Sequence, residues 1–245
     1  IELTAGEGYT GSGLDVISGN NVIRGFAINQ FDSGILLRTA DGNSNLVVGN
    51  FIGTDVTGTI DLGNRSYGVR VTGSNNTIGG TTAADRNLIS GNESDGIIVV
   101  NTGLNPGTGN IIIGNYIGTD LTGTQPIANT NAGVRLLTSD NTVGGAADGA
   151  GNVVAASGAE GIFVQAASNR IERNLIGTNA TGTAAIANAF SGLTISNAAN
   201  NVVLNNLISG NGLVSTTRVG LSVSGSDSTN NLVQGNRIGT NLAGT

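Results

Sequence analysis

Asn76-Thr77-Ile78-Gly79-Gly80, Asn87-Leu88-Ile89-Ser90-Gly91-Asn92 and Gly96-Ile97-Ile98-Val99 follow one another in the chain, and the plan then returns. The next stretch reads Asn110-Ile111-Ile112-Ile113-Gly114, Asn115-Tyr116-Ile117-Gly118-Thr119-Asp120 and Gly133-Val134-Arg135-Leu136. Each unit holds three short apolar runs, two opened by Asn and one by Gly. Working outward, the opening Asn recurs at Asn21, Asn45, Asn76, Asn110, Asn141, Asn169, Asn201 and Asn231, a spacing of about 24 to 34 residues. Two places after it stands Ile or Val in every unit. The second run opens at Asn50, Asn87, Asn115, Asn152, Asn174, Asn206 and Asn236, with Phe26 replacing Asn in the first unit. The third opens at Gly13, Gly34, Gly68, Gly96, Gly133, Gly161, Gly192 and Gly220.

Apolar residues at alternate places over three to five positions predict short strands with one buried face. No helical stretch separates them, so βαβ crossovers do not fit, and a hairpin sandwich would not require the same residue type at the same place in every unit. A solenoid does require it, because each turn lies on the one before at about 4.8 Å and like strands pair in parallel. The fold predicted is all-β: a right-handed, single-stranded parallel β-helix with three short strands per turn. It makes seven to eight turns of about 30 residues, taken as one domain over 1–245. Right-handedness follows from the strong bias of parallel crossovers. The Asn columns are expected at the corners, where Asn tolerates left-handed backbone angles and stacked amides can hydrogen-bond along the column.

Composition narrows the chemistry. The 245 residues include 41 Gly, 2 Pro, no Cys, no Met, no Trp and no His, with 11% charged residues and a net charge of -6. Absent Cys and His remove the thiol nucleophile, the zinc-type ligand set and the commonest general base. The basic residues are all Arg and scattered, which argues against nucleic acid as a partner. No apolar run approaches the roughly 20 residues of a membrane span, so membrane insertion is not expected. Both ends fall inside a unit, the expectation for a segment of a longer repetitive protein.

Two kinds of turn alternate. One carries Ile52-Gly53-Thr54-Asp55-Val56-Thr57-Gly58-Thr59, repeated at 117–124 and 176–183 and in part at 238–245, followed by a loop of about ten residues. The other lacks that loop, and two of its members instead carry insertions between the first and second strands, Thr81 to Arg86 and Ala146 to Gly151. The full period is therefore two turns, about 62 residues. The Asn-x-Ile-x-Gly-Asn-x-Ile and Gly-Ile-x-Val pattern resembles the right-handed parallel β-helix repeat of pectate-lyase-like proteins. The Ile-Gly-Thr-Asp-x-Thr-Gly-Thr variant is similar to repeat tracts of large secreted bacterial surface proteins. The resemblance runs from about Gly13 to the end and implies an extracellular or cell-surface location. In pectate-lyase-like enzymes it would also imply calcium-binding carboxylates and a basic group on one strand face.

Counting forward through each unit puts Asp55, Asn92, Asp120, Ser157, Asn179, Asn211 and Asn241 in one column. Asp55 and Asp120 are the candidate ligands of a calcium ion, a hard cation that takes oxygen donors. The competing reading, a corner ladder with two acidic members, is the one their repeat position favours. Acidic residues that depart from the pattern are Asp32, Glu93, Asp95, Glu160 and Glu172, of which Glu93, Asp95 and Glu160 suggest an acidic edge. The outward column of the third strand should read Asp15, Leu36, Arg70, Ile98, Arg135, Phe163, Thr194, Ser222. Phe51 and Tyr116 are expected beneath the long loops, with Val56, Ile60, Leu62, Leu121 and Ile127 folding over them. The function expected is a non-enzymatic structural or adhesive β-solenoid that associates with itself or with neighbouring repeats. The alternative is a carbohydrate-binding or polysaccharide-degrading β-helix.

Overall fold

The computed structural model describes residues 1–41, 44–103, 106–212 and 219–244. Thr245, which closes the fourth Ile-Gly-Thr motif, lies outside them. All assigned elements are strands, arranged in three parallel sheets of eight, nine and eight. Sheet 1 runs from Val22–Arg24 to Leu232–Gln234, sheet 2 from Glu2–Thr4 to Arg237–Ile238, and sheet 3 from Ser12–Ser18 to Leu221–Ser224. The chain visits them in rotation, so each circuit is one coil. Seven complete coils begin at Asn21, Asn45, Asn76, Asn110, Asn141, Asn169 and Asn201, with a partial coil at either end; the last is coil 8.

The registers follow the sequence columns. In sheet 1, Ile23 pairs with Val47, Val47 with Ile78, Ile78 with Ile112 and Ile112 with Val143, without skipping a coil. In sheet 2, Ile52, Ile89, Ile117, Val154, Ile176 and Ile208 stack in the same way. These columns are sealed from solvent and merge with the inward residues of sheet 3 into one continuous apolar core. Burying an aliphatic side chain of this size stabilises by about 1.5–3 kcal/mol, so the stacked core supplies the main driving force.

Asparagine forms two unbroken inter-coil ladders. At the first corner, the Oδ1 of each Asn accepts the backbone N–H of the Asn one coil earlier, from Asn21 through Asn231. At the second, Asn50, Asn87, Asn115, Asn152, Asn174, Asn206 and Asn236 are linked by the same bond, every rung also by a side-chain Nδ2–H. Their Nδ2 groups also donate to the carbonyl of the core residue one coil back, as Asn115 does to Ile78 at 2.9 Å. Buried backbone groups at a corner would otherwise lose water without replacement, at a cost of about 1–3 kcal/mol each.

The left-handed residue is not the ladder Asn, as the corner argument supposed, but its predecessor. Asn20, Ser44, Asn75, Gly109, Asp140, Ser168, Asn200 and Asn230 all have φ between 56° and 70°. The turn is made there, leaving the next Asn in register to hydrogen-bond along the stack. Nor is the glycine opening the third strand needed for its φ. A Cβ on Gly133 would lie 2.5 Å from Val154 Cγ1 and 2.8 Å from the Gly161 carbonyl oxygen. The column is glycine because the sheet 2 core residue and the next coil both press against its Cα.

Candidate functional site

The repeat-breaking residues cluster in two places, a ridge of loops outside sheet 2 and the outer face of sheet 3. The ridge begins where coils 2, 4 and 6 leave sheet 2 at Thr54, Thr119 and Thr178. Each excursion is a hairpin closed by an isolated antiparallel bridge, Thr54 with Asp61, Thr119 with Pro126, Thr178 with Ala185. The first residue after the threonine staples the hairpin. Asp55 Oδ1 accepts the N–H groups of Thr59 and Ile60 at 3.1 and 3.0 Å, and Oδ2 accepts the N–H and hydroxyl of Thr57 at 3.1 and 2.6 Å. Asp120 does the same with Thr122, Thr124 and Gln125, and neutral Asn179 does it through Oδ1 with Thr181, Thr183 and Ala184. The Thr-x-Thr spacing thus supplies donors to one side-chain oxygen pair.

Burial pushes the Asp55 carboxyl up, but the Thr57 hydroxyl and the amides of Ile60, Thr59 and Thr57 outweigh it and hold the pKa at about 2. Asp120 is lowered for the same reason, burial opposed by Gln125, Thr122 and Thr124. Asp61, at the foot of the first hairpin, moves the other way: burial raises it, the Gly63 amide partly offsets this, and the charge of Glu93 adds to it.

The calcium candidates are therefore placed in successive hairpins two coils apart, each carboxylate accepting N–H and O–H donors of its own loop. Among the described residues no three His, Cys, Asp or Glu side chains come together as a metal-holding group.

The single column drawn from Asp55 to Asn241 separates into two. Asn92, Ser157 and Asn211 stack not on the hairpin residues but on Asn64, Asn129 and Asn188, which lie where the loops re-enter the coil. This is a third ladder. Counting back from the third-strand glycine would have found it, since Asn64, Asn92, Asn129, Ser157 and Asn188 each precede that glycine by four. Ser157 interrupts the ladder, and its hydroxyl is buried without a hydrogen-bond partner among the described residues.

Phe51 and Tyr116 do lie under the ridge, against hairpin glycines, and Tyr116 also carries the Arg86 guanidinium 4.0 Å from its ring centre. A Cβ on Gly58 would be 3.4 Å from the Phe51 ring, and one on Gly123 2.8 Å from the Tyr116 ring. Ile127 is buried, whereas Val56, Ile60 and Leu121 are exposed at the hairpin surface.

On sheet 3 the outward column reads as expected: Asp15, Leu36, Arg70, Ile98, Arg135, Phe163, Thr194 and Ser222 are consecutive partners. Of the expected acidic edge, Asp95 is drawn into an ion pair. Buried Asp95 takes the Arg135 Nε–H at 3.0–3.1 Å and the Ala132 amide at 2.9 Å, while the Arg135 guanidinium lies 4.9 Å from the Phe163 ring centre. Glu172 is held by Arg170, Asp15 by Arg38, Asp32 by Arg65 and Asp85 by Arg24. Arg70 stands over Tyr67, 5.9 Å from its ring centre, with a buried Nε that has no hydrogen-bond partner among the described residues. The insertions are gripped by arginines too: Arg24 donates to the Ala84 carbonyl, and Arg173 to that of Ala146.

Three parallel sheets wound around one aliphatic core, with asparagine ladders at the corners, define the class: the chain is a right-handed parallel β-helix. Among solved structures it is similar to a double mutant of the periplasmic alginate epimerase AlgG, with a TM-score of 0.58, 16% identity, and 91% of this chain matched to 46% of that one. It is also similar to the A-module of the mannuronan C-5 epimerase AlgE4 of Azotobacter vinelandii, with a TM-score of 0.56, 18% identity, and 91% of this chain matched to 54% of that one. The chain thus spans about half the length of these structures, and likeness at this identity concerns the fold alone. No family model and no curated protein matches the sequence.

Proposed function

We infer that the chain is a structural, non-enzymatic segment of an exported bacterial β-solenoid, a rigid spacer or adhesive element at a cell surface or in a secreted assembly. One observation carries the reading: the hairpin aspartates, the ion-paired carboxylates and the ladder asparagines are engaged within the fold itself. The two hairpin aspartates staple their loops, five further carboxylates are engaged by arginines, and the asparagines form the ladders. Export is supported by AlgG, a periplasmic protein that shares the fold. Partners under this reading are neighbouring coils or a second copy stacked on an end. Sedimentation of the isolated chain tests this, since a concentration-independent monomer would remove self-association.

The second reading is polysaccharide binding. It draws on two fold relatives, named as an alginate epimerase and a mannuronan C-5 epimerase, and on Arg70, whose guanidinium carries no acidic partner among the described residues. A glycan array, together with product release from acidic polysaccharides with and without calcium, separates the two. Silence in both supports the structural reading, binding without turnover favours the second, and turnover overturns both.

A further inference from the structure

We propose that the solenoid opens and closes in pairs of coils, because the ridge hairpins pin coils 3, 5 and 7 each between two even-numbered ones. The inference is independent of what the surface contacts. In an ordinary β-solenoid each coil touches only its neighbours, so stability accumulates coil by coil. Here the hairpins reach across a coil. The Leu121 N–H of coil 4 donates to the Gly58 carbonyl of coil 2 at 3.0 Å, the Ala180 N–H of coil 6 to Gly123 of coil 4 at 2.9 Å, and the Leu242 N–H of coil 8 to Gly182 of coil 6 at 3.0 Å.

The odd coil lies underneath. Leu88, Val153 and Leu207 occupy outward positions of sheet 2, which should be exposed, yet they are only 1%, 3% and 3% exposed. Their cover is the ridge. A Cβ on Gly58 would be 2.9 Å from Leu88 Cδ2, and one on Gly182 would be 2.9 Å from Leu207 Cδ2. Val153 packs with Ile186, Ala180 and Tyr116.

Removing an even coil with its hairpin therefore strips the apolar cover from the odd coil beside it. That coil has no hairpin of its own at this ridge and leaves in the same event. The pair is the two-coil sequence period, set by Asn45, Asn110, Asn169 and Asn231 at about 62 residues.

The test is single-molecule extension of the whole chain held at its two ends. Release of about 62 residues adds roughly 200 Å of contour at about 3.3–3.6 Å per residue, and release of a single coil roughly 100 Å. Steps of about 200 Å are expected. Steps of about 100 Å, or one release of the entire stack, would overturn the proposal. Gly123→Ala sharpens it, since that glycine has φ +70° and a Cβ there would meet the Ala180 Cβ at 2.6 Å. In this variant the step containing coils 5 and 6 should split in two while the remaining steps persist; an unchanged trace would also count against pairing. Should the variant not fold, hydrogen exchange on the unaltered chain decides. The amides of Leu88, Val153 and Leu207 should open together with an adjacent even coil, and separate opening would refute the pairing.

Discussion

Ser157→Asn should make the protein more stable, although the position is buried and already occupied by a small polar residue. In the intact rungs of the third ladder, Asn92 donates its N–H and Nδ2–H to Asn129 Oδ1 at 3.0 and 2.8 Å and a further Nδ2–H to the Ile52 carbonyl at 3.3 Å. An Asn at 157 would present Oδ1 to the N–H and Nδ2–H of Asn129, and Nδ2–H to Asn188 Oδ1 and the Ile117 carbonyl. Ser157 Oγ lies 3.0 Å from where a Cβ on Gly133 would be, and the Nδ2 atoms of Asn92 and Asn188 hold the same relation to Gly68 and Gly161 at 2.8 and 2.7 Å.

Four added hydrogen bonds at about 1 kcal/mol net each give about 4 kcal/mol. Ordering the longer side chain and burying its amide take back about half of this. A gain of about 2 kcal/mol remains, which in a chain of this length corresponds to a rise in Tm of about 4–8 °C. Thermal unfolding followed by far-UV circular dichroism reads it, with Ser157→Ala as the control that removes only the unpaired hydroxyl. An unchanged or lowered Tm with native spectra would refute the ladder argument.

Other perturbations follow from the same geometry. Asn115→Ala, in the middle of the second ladder, leaves the Asn87 amide and the Ile78 carbonyl short of partners and should cost about 3 kcal/mol in urea unfolding. Gly133→Ala forces a methyl against Val154 and the Gly161 carbonyl, with an expected loss of about 3 kcal/mol in the same measurement. Asp55 and Asp120 have lowered folded pKa values, so their contribution is present above the unfolded value of 3.8 and is lost as pH falls through the folded value, about 2 for Asp55. Asp55→Asn should therefore flatten the decline in Tm between about pH 4 and 2, and an identical decline would exclude the staple. Asp61 has the opposite sign: its raised pKa favours the folded state at low pH, an advantage lost as pH rises through the folded value. Asp61→Ala, the residue standing at the equivalent Ala185, should raise Tm at pH 7 with the gain disappearing below about pH 3. Millimolar calcium should leave Tm unchanged, because the Asp55 and Asp120 oxygens already accept N–H and O–H donors; a saturable rise abolished by Asp55→Asn would instead establish a calcium site.

Much of this was legible in the chain because a parallel solenoid writes its contacts as columns. Ile78 must resemble Ile112 and Val143 since they touch, and the outward series from Asp15 to Ser222 could be read strand by strand before any coordinates. Legibility ended where chain length between strands varies. Asp55 and Asn92 occupy similar sequence places after an Ile-Gly or Ile-Ser pair, yet one enters a hairpin and the other remains in the coil, so that Asn64 takes the rung beside Asn92. The ion pairs were equally hidden: Asp95 and Arg135 are forty residues apart, and only the rise of one coil brings Arg135 over Asp95.

The sequence alone determined the winding, the registers and the identity of the buried columns, because these repeat and repetition is local information. The tertiary structure decided which residue of each corner turns left-handed, why the third strand must open on glycine, and that alternate coils are bridged over the one between. Those depend on the separation of neighbouring coils and on how far a loop can lean along the axis, neither of which is a property of any single unit.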